Sequence, residues 1–300
     1  MTIDAGTRQP PGPQPKTRRT KAATPPGRTA GRGSGVGAVL TLVTWVLAVL
    51  FFFPVFWMVL TGFKNESDAY TQTPKVFFTP TLSQFSTAID RAAPFAVNSA
   101  VATVASTALV LLLAIPAAYA LSIRPVAKTQ DVLFFFISTK MLPVVAVIVP
   151  LYVIAGQIHA LDNIWVLIVL YTAMNLPIAV WMMRSFLQEI PAEVLEAAAV
   201  DGASLGQLWR HVMVPMVAPG IAATALICVI FSWNEFFFAV NLTASASSTV
   251  PVYLVGFITS QGLYFAQLSA AATLASLPVV IAGWVAQKQL VRGLSMGAIK

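Results

Sequence analysis

The sequence predicts an all-α membrane protein with six transmembrane helices, and three observations carry that prediction. Hydrophobic residues make up 57% of the 300 residues and charged residues only 10%, with a mean hydropathy of +0.79. A soluble domain carries about 25% charged residues, so too few polar side chains remain here to coat a water-soluble globule. Six segments, roughly 38–62, 98–122, 132–155, 163–183, 217–240 and 268–288, each supply the about 20 apolar residues that ~30 Å of hydrocarbon demands. The charges fall between or at the edges of these segments, Lys140 and Glu235 excepted. Backbone groups cannot stay unpaired in lipid, so each segment is expected to be helical.

Residues 1–35 precede the first span. They are rich in Pro, Gly, Thr, Lys and Arg and hold seven of the 18 Lys and Arg. Such a stretch cannot bury enough apolar surface to fold, so it reads as a disordered basic tail able to touch anionic headgroups. No folded basic surface with base-reading side chains accompanies it, which argues against nucleic acid. The first apolar run begins near Val36 and is long enough to span, unlike a cleaved signal. Residues 36–300 therefore form one six-helix membrane domain. Pro54, Pro116, Pro143, Pro150, Pro177 and Pro278 lie within the spans and predict kinks.

Orientation follows from the Lys/Arg bias. With the N-terminus inside, the cytoplasmic side holds the tail, Arg124, Lys128, Arg184, Arg210, Lys288, Arg292 and Lys300. The outside holds only Lys64, Lys75 and Arg91. Both termini are predicted cytoplasmic. Residues 63–97 and 241–266 are then external, the first partly helical and the second rich in Ser and Thr. The longest cytoplasmic loop is 185–216. Cys228 is the one cysteine, and His159 and His211 stand far apart, so no metal-ligand spacing is present. No cofactor is expected.

That cytoplasmic loop is the most informative stretch. Pro191 starts a helix at no hydrogen-bonding cost, and 192–200 is rich in helix formers. Asp201-Gly202 signals a turn, and Ser204 caps a second short helix running through Leu205, Leu208, Trp209 and Val212. Pro215 is expected to close that helix before the fifth span. The predicted product, over 191–215, is two short helices with a sharp bend at the membrane surface.

Glu196-Ala197-Ala198, three residues, Gly202, nine residues, Val212, one residue and Val214-Pro215 resemble the EAA motif of ABC-importer permeases. The departures are Val212 for the family's Ile and Val214 for its Leu, both apolar. The resemblance implies a type I importer permease fold and makes this loop the coupling helix that sits in a cleft of the ATPase. Ala197 and Ala198 would permit close docking, Asp201-Gly202 the bend, and Leu208 and Trp209 an apolar contact. Glu196 would pair with the ATPase or cap a helix in its own chain. The resemblance continues in Phe231-Ser-Trp-Asn-Glu-Phe-Phe237 and in 290–300, toward the carbohydrate-uptake, maltose-type second permeases, and most toward those for polyols such as sorbitol and mannitol. It implies a second permease subunit, two ATP-binding-cassette subunits that alone bind ATP, an extracytoplasmic solute-binding protein, a sugar or polyol as solute, and the bacterial inner membrane. The chain has no GxxxxGK[ST] loop and is not expected to be an enzyme.

Polar groups within spans belong in a bundle interior or a water-filled path. Asn175, Trp233, Asn234 and Glu235 are the candidates. They either line the solute path or hydrogen-bond between helices. Lys140 lies about nine residues from the cytoplasmic start of its span and Glu235 about eighteen from that of its own, so no bridge between them is expected, and Lys140 is expected to be held by carbonyls or by a partner subunit. The competing class, an ion-coupled secondary transporter, needs buried ionisable relays, for which only Lys140 and Glu235 offer themselves.

Overall fold

In the computed structural model, residues 34–123, 127–259 and 262–296 are described. The basic tail thus lies outside the described residues up to position 33, as do Arg124 and the last residues of the C-terminal stretch. The order is α1 Ser34–Gly62, α2 Glu66–Ala69, α3 Ser83–Ser122, α4 Thr129–Lys140, α5 Val144–Gln157, α6 Ile164–Gln188, α7 Ala192–Val200, α8 Leu205–Gln207, a π-helical turn Leu208–Met213, α9 Val214–Trp233, α10 Phe237–Leu242, α11 Val250–Val255, a two-residue antiparallel pair β1 Ile258–Thr259 with β2 Gly262–Leu263, and α12 Phe265–Met296. Five of the described helical stretches are long and apolar enough to cross a membrane, six if α4 and α5 count as one broken span. The chain divides into two units at Phe51. The first holds the start of α1, where the Thr41 and Thr44 hydroxyls bond back to the Gly37 and Leu40 carbonyls. Everything below concerns the second unit.

Packing centres on α3, which runs along α6 and also meets α9 and α12. Ala102, Ser106, Val110, Ala114 and Ala118 recur every four residues on α3, and each is fully buried. Small side chains at that spacing let helices approach closely, the means by which membrane bundles gain dispersion contacts. Gly220 of α9 serves the α6 crossing in the same way. A Cβ there would lie 2.3 Å from the Phe186 ring.

Three boundaries differ from the sequence reading. The span expected over 132–155 is not one kinked helix, because α4 and α5 meet at 86° across Met141–Pro143. Proline disfavours helix in the residue before it and has no N–H to continue the ladder, and here the helix ends rather than bends. The helix expected from 98 begins at Ser83 and passes through Pro94, so much of the expected external loop extends the second span. The fifth helix ends at Trp233, not at 240, and the chain reforms as α10 after a break.

The end of the bundle carrying α2 and α10 is held by carboxylates that accept backbone amides. Asp162, at φ +53, takes the N–H groups of Ala244, Ser245, Ala246 and Ser247 at 2.9–3.1 Å. The Asn98 amide donates to the Ala246 and Ser248 carbonyls, and Ser99 Oγ accepts from Val250 N–H. Glu66 accepts from Ala266 and Gln267 at the start of α12, where anions are favoured. The Ser/Thr-rich segment after α10 is therefore pinned at several points.

Burial raises the Asp162 carboxyl, but the four amides outweigh it and hold it at about 2. An unfolded aspartate titrates near ~3.9, so the contribution to stability is complete above about pH 4 and is lost as pH falls toward 2. Asp162→Ala is expected to lower the thermal midpoint of the detergent-solubilised protein at pH 7. The gap from wild type should narrow steadily below about pH 4. A gap independent of pH would contradict this role.

Candidate functional site

At the opposite end of the bundle, α7 and the turn after it form a capped unit. Pro191 precedes the helix in extended conformation (φ −59°, ψ 137°). At the other end Gly202 N–H donates to the Ala199 carbonyl and Ala203 N–H to the Ala198 carbonyl. Gly202 sits at φ +74, and together these are the bonds of a Schellman C-cap. Ser204 then opens α8 with a capping box: its Oγ accepts Gln207 N–H, and Gln207 Oε1 accepts Ser204 N–H at 2.8 Å. The N–H groups of residues 201–204, 207 and 208 all have local partners, so the bend holds its own shape.

Pro215 does not close the second helix, contrary to the sequence reading. The helical path continues from Leu205 to Trp233 through the π-helical turn, where Val214 N–H donates to the Trp209 carbonyl five residues back. A proline ring crowds the carbonyl four residues before it, and the widened turn gives that ring room. The loop is thus one short helix, a corner, and the extended start of the fifth span.

The π turn also shifts the phase of the apolar side chains. Leu208 and Trp209 turn inward, onto a cluster with Leu195, Ile190, Leu187 and Met213, and the Trp209 ring lies 5.1 Å from that of Tyr119. They are half-buried in their own chain rather than offered outward as the sequence suggested. The exposed apolar groups are Val200, 86% exposed, and Leu205, 57% exposed, on either side of Gly202. Sequence reasoning missed both. Leu205 shares helical spacing with Leu208 and Trp209 but lies one turn further out, outside the cluster they join. Glu196, Ala197, Asp201, Gly202 and Pro215 are exposed, and Ala198 is half-buried. A Cβ on Gly202 would meet nothing within 4 Å, so this surface is open.

The polar residues of the spans divide into two groups. Asn175 is fully buried, and its Nδ2 donates to the Tyr171 carbonyl and to Ser232 Oγ, each at 3.0 Å. Ser232 in turn pairs with Ser106 at 3.2 Å, so hydroxyls and amide join α3, α6 and α9. Trp233 is 9% exposed, and its indole N–H donates to the Ala275 carbonyl of α12 at 2.9 Å. Glu235 is not within a helix as expected: it stands in the break before α10 and accepts the N–H groups of Phe238 and Ala239 at 2.9 and 3.3 Å. The buried Tyr171 hydroxyl faces Glu235 and Thr249 without reaching hydrogen-bond geometry. Asn234 is exposed, and its amide donates to the Ile230 carbonyl. Lys140 is also exposed at the α4–α5 elbow. It donates to the Met174 carbonyl at 2.8 Å and lies 6.0 Å from the Phe231 ring, a carbonyl partner as the sequence suggested.

Comparison with known proteins agrees with this architecture. Residues 110–296 match the family described as the binding-protein-dependent transport system inner membrane component. A probable ABC transporter permease protein of Sinorhizobium fredii is 39% identical over 262 residues, covering 87% of this chain and 94% of the relative. The diacetylchitobiose uptake system permease protein of Streptomyces coelicolor is 30% identical over 259 residues, covering 85% and 94%. A chain in the crystal structure of a bacterial ABC transporter involved in import of the acidic polysaccharide alginate superposes with a TM-score of 0.71 at 22% identity, covering 87% of this chain and 98% of that one.

Asn175→Ala would remove the amide bond to Ser232, which keeps Ser106, a loss of about 0.5–1.5 kcal/mol. The expected result is a lower thermal midpoint in detergent. An unchanged midpoint with impaired solute uptake would instead make Asn175 a path residue. The match over residues 110–296 and the 39% identity over 87% of the chain lead to one identification: the chain belongs to the family of inner-membrane components of binding-protein-dependent transport systems.

Proposed function

We propose that this chain is the permease subunit of a binding-protein-dependent ABC importer for a sugar, with the corner 191–205 docking on a separate ATPase. The observation that carries the reading is the self-capped corner with Val200 and Leu205 exposed beside Gly202. A shape held by its own hydrogen bonds transmits displacement, and a small exposed apolar pair beside an open glycine suits burial in a partner's cleft. The sugar assignment draws on the diacetylchitobiose relative, and a polyol such as sorbitol is a narrower candidate within it. The reading requires a second permease subunit, two ATP-binding subunits and an extracytoplasmic solute-binding protein. It puts the α7 end in the cytoplasm, in keeping with the Lys/Arg bias.

The solute path is best sought at Asn234 and Lys140. Met174, which holds the Lys140 ammonium, is ten residues into α6, about 15 Å from its start and so near mid-membrane. A charge and a broken helix at that depth belong beside water or another subunit, not lipid. Asn175 and Trp233 are better suited to holding the bundle together. An ion-coupled carrier has less support, because the Glu235 carboxylate is already committed to backbone amides.

Gly202→Asp tests the docking role. Aspartate tolerates the left-handed conformation better than most side chains, and the space around Gly202 is open, so the variant should reach the membrane folded. Solute uptake by the assembled transporter should be abolished, and Val200→Glu should act the same way. Wild-type uptake by both variants would remove the assignment.

A further inference from the structure

The α4–α5 elbow puts a positive charge deep in the bundle. Lys140 is the last residue of α4, which starts at Thr129, so it lies about 16 Å along that helix. Its partner carbonyl on Met174 gives a similar depth from the start of α6. Both place the ammonium near the middle of ~30 Å of hydrocarbon. A charge at that depth is costly and belongs on a polar path or against an opposite charge.

The bonds that Lys140 makes leave its charge without a counter-charge. The Met174 carbonyl takes one of three N–H donors, and the Phe231 ring, at 6.0 Å, adds a weak contact. Glu235 is committed to the Phe238 and Ala239 amides. Among the described residues the one ion pair is Lys75–Asp68. The ammonium of Lys64 is by contrast enclosed, donating to the Lys75 carbonyl beneath the Trp57 ring. Lys140 is exposed, so two of its N–H groups remain open to a passing solute.

The surroundings suit a sugar. Phe231 is 44% exposed, and Asn234, three residues further along the same helical path, is exposed as well. Positions three apart share a face, so an aromatic ring and a side-chain amide stand on the side of α9 that Lys140 approaches. The Asn234 Nδ2 donates to the Ile230 carbonyl, which leaves its Oδ1 to accept a solute hydroxyl.

We propose that Lys140 is a specificity-determining residue of the solute path, selecting a sugar that bears an anionic group (carboxylate, sulfonate or phosphate) whose charge it meets during passage. The inference rests on the reading of the chain as a sugar-importer permease with Lys140 on its path, and it ranks an acidic sugar above a neutral polyol.

The test uses the complete transporter in liposomes with its solute-binding protein. The probes are radiolabelled glucuronate, galacturonate, glucose 6-phosphate and 6-deoxy-6-sulfoglucose, beside neutral glucose, galactose, maltose and sorbitol. The readout is solute moved per ATP hydrolysed. Wild type is expected to move at least one anionic probe better than any neutral one. Lys140→Met keeps the side-chain length and removes the charge, and should cut the ratio for that probe about ten-fold, the effect of one charge-assisted hydrogen bond. Ratios for neutral probes should not fall, and Lys140→Arg should restore the anionic one. A wild type that moves only neutral probes, or a Lys140→Met variant with wild-type ratios or with an equal fall for both classes, would overturn the inference and leave the importer reading standing. Loss of the second permease subunit from purified Lys140→Met, regained in Lys140→Arg, would assign the charge to a carboxylate of that subunit and also overturn it. Failure of the wild type to move any probe would overturn the sugar reading and this inference together.

Discussion

A backbone amide that loses its helical partner near hydrocarbon must find another within the protein, and the shape of this chain follows from where it meets that demand with side chains. Carboxylates do so at the α2–α10 end. Asp162 gathers four amides, Glu66 takes two at the start of α12, and Glu235 takes two at the start of α10. Some carbonyls also take side-chain donors: Arg184 on Leu121 at the end of α3, and Lys140 on Met174 and Trp233 on Ala275 within α6 and α12. These bonds allow the fifth helix to stop and restart, and the third span to turn through 86°, without leaving the breaks unsupported.

The α7 end meets the same demand with local motifs. The Schellman bonds and the Ser204–Gln207 capping box close the corner on itself, and the π turn lets Pro215 sit within a continuous helical path. The two ends differ in consequence. Distant segments are tied together at one end, while at the other a compact corner stands proud with its apolar pair uncovered. A corner of that kind holds its shape as a unit, and it leads directly into the long helix from Leu205 to Trp233.

Much of this was legible in the sequence. The spans follow from apolar run length, and the turn at Asp201-Gly202 and the cap at Ser204 follow from residues whose local chemistry has few alternatives. The breaks were harder to read. Pro143 and Pro215 are both prolines in apolar surroundings, yet α4 stops short of the first while the helical path runs through the second, as α3 runs through Pro94. Glu235 stands in an apolar run and so read as lying within a span, whereas it caps a new helix. The outward placement of Val200 and Leu205 depends on which faces of the short helices pack onto the bundle, and helical spacing alone does not give that. The polar pair Asn175–Ser232 was visible as two residues, but its bond exists only once α6 and α9 are packed.

The central claim is that the corner around Gly202 touches a separate motor on the cytoplasmic face. Cys228 is the one native cysteine and is fully buried, so Val200→Cys would place a reactive thiol at the corner with little background. The decisive measurement is thiol crosslinking of this variant in the assembled transporter across nucleotide states. Crosslinks from position 200 to an ATPase subunit, with a yield that changes when ATP binds, are the predicted result. Labelling of that thiol by an impermeant reagent from outside intact cells, or no crosslink to an ATPase subunit in any nucleotide state, would contradict the account.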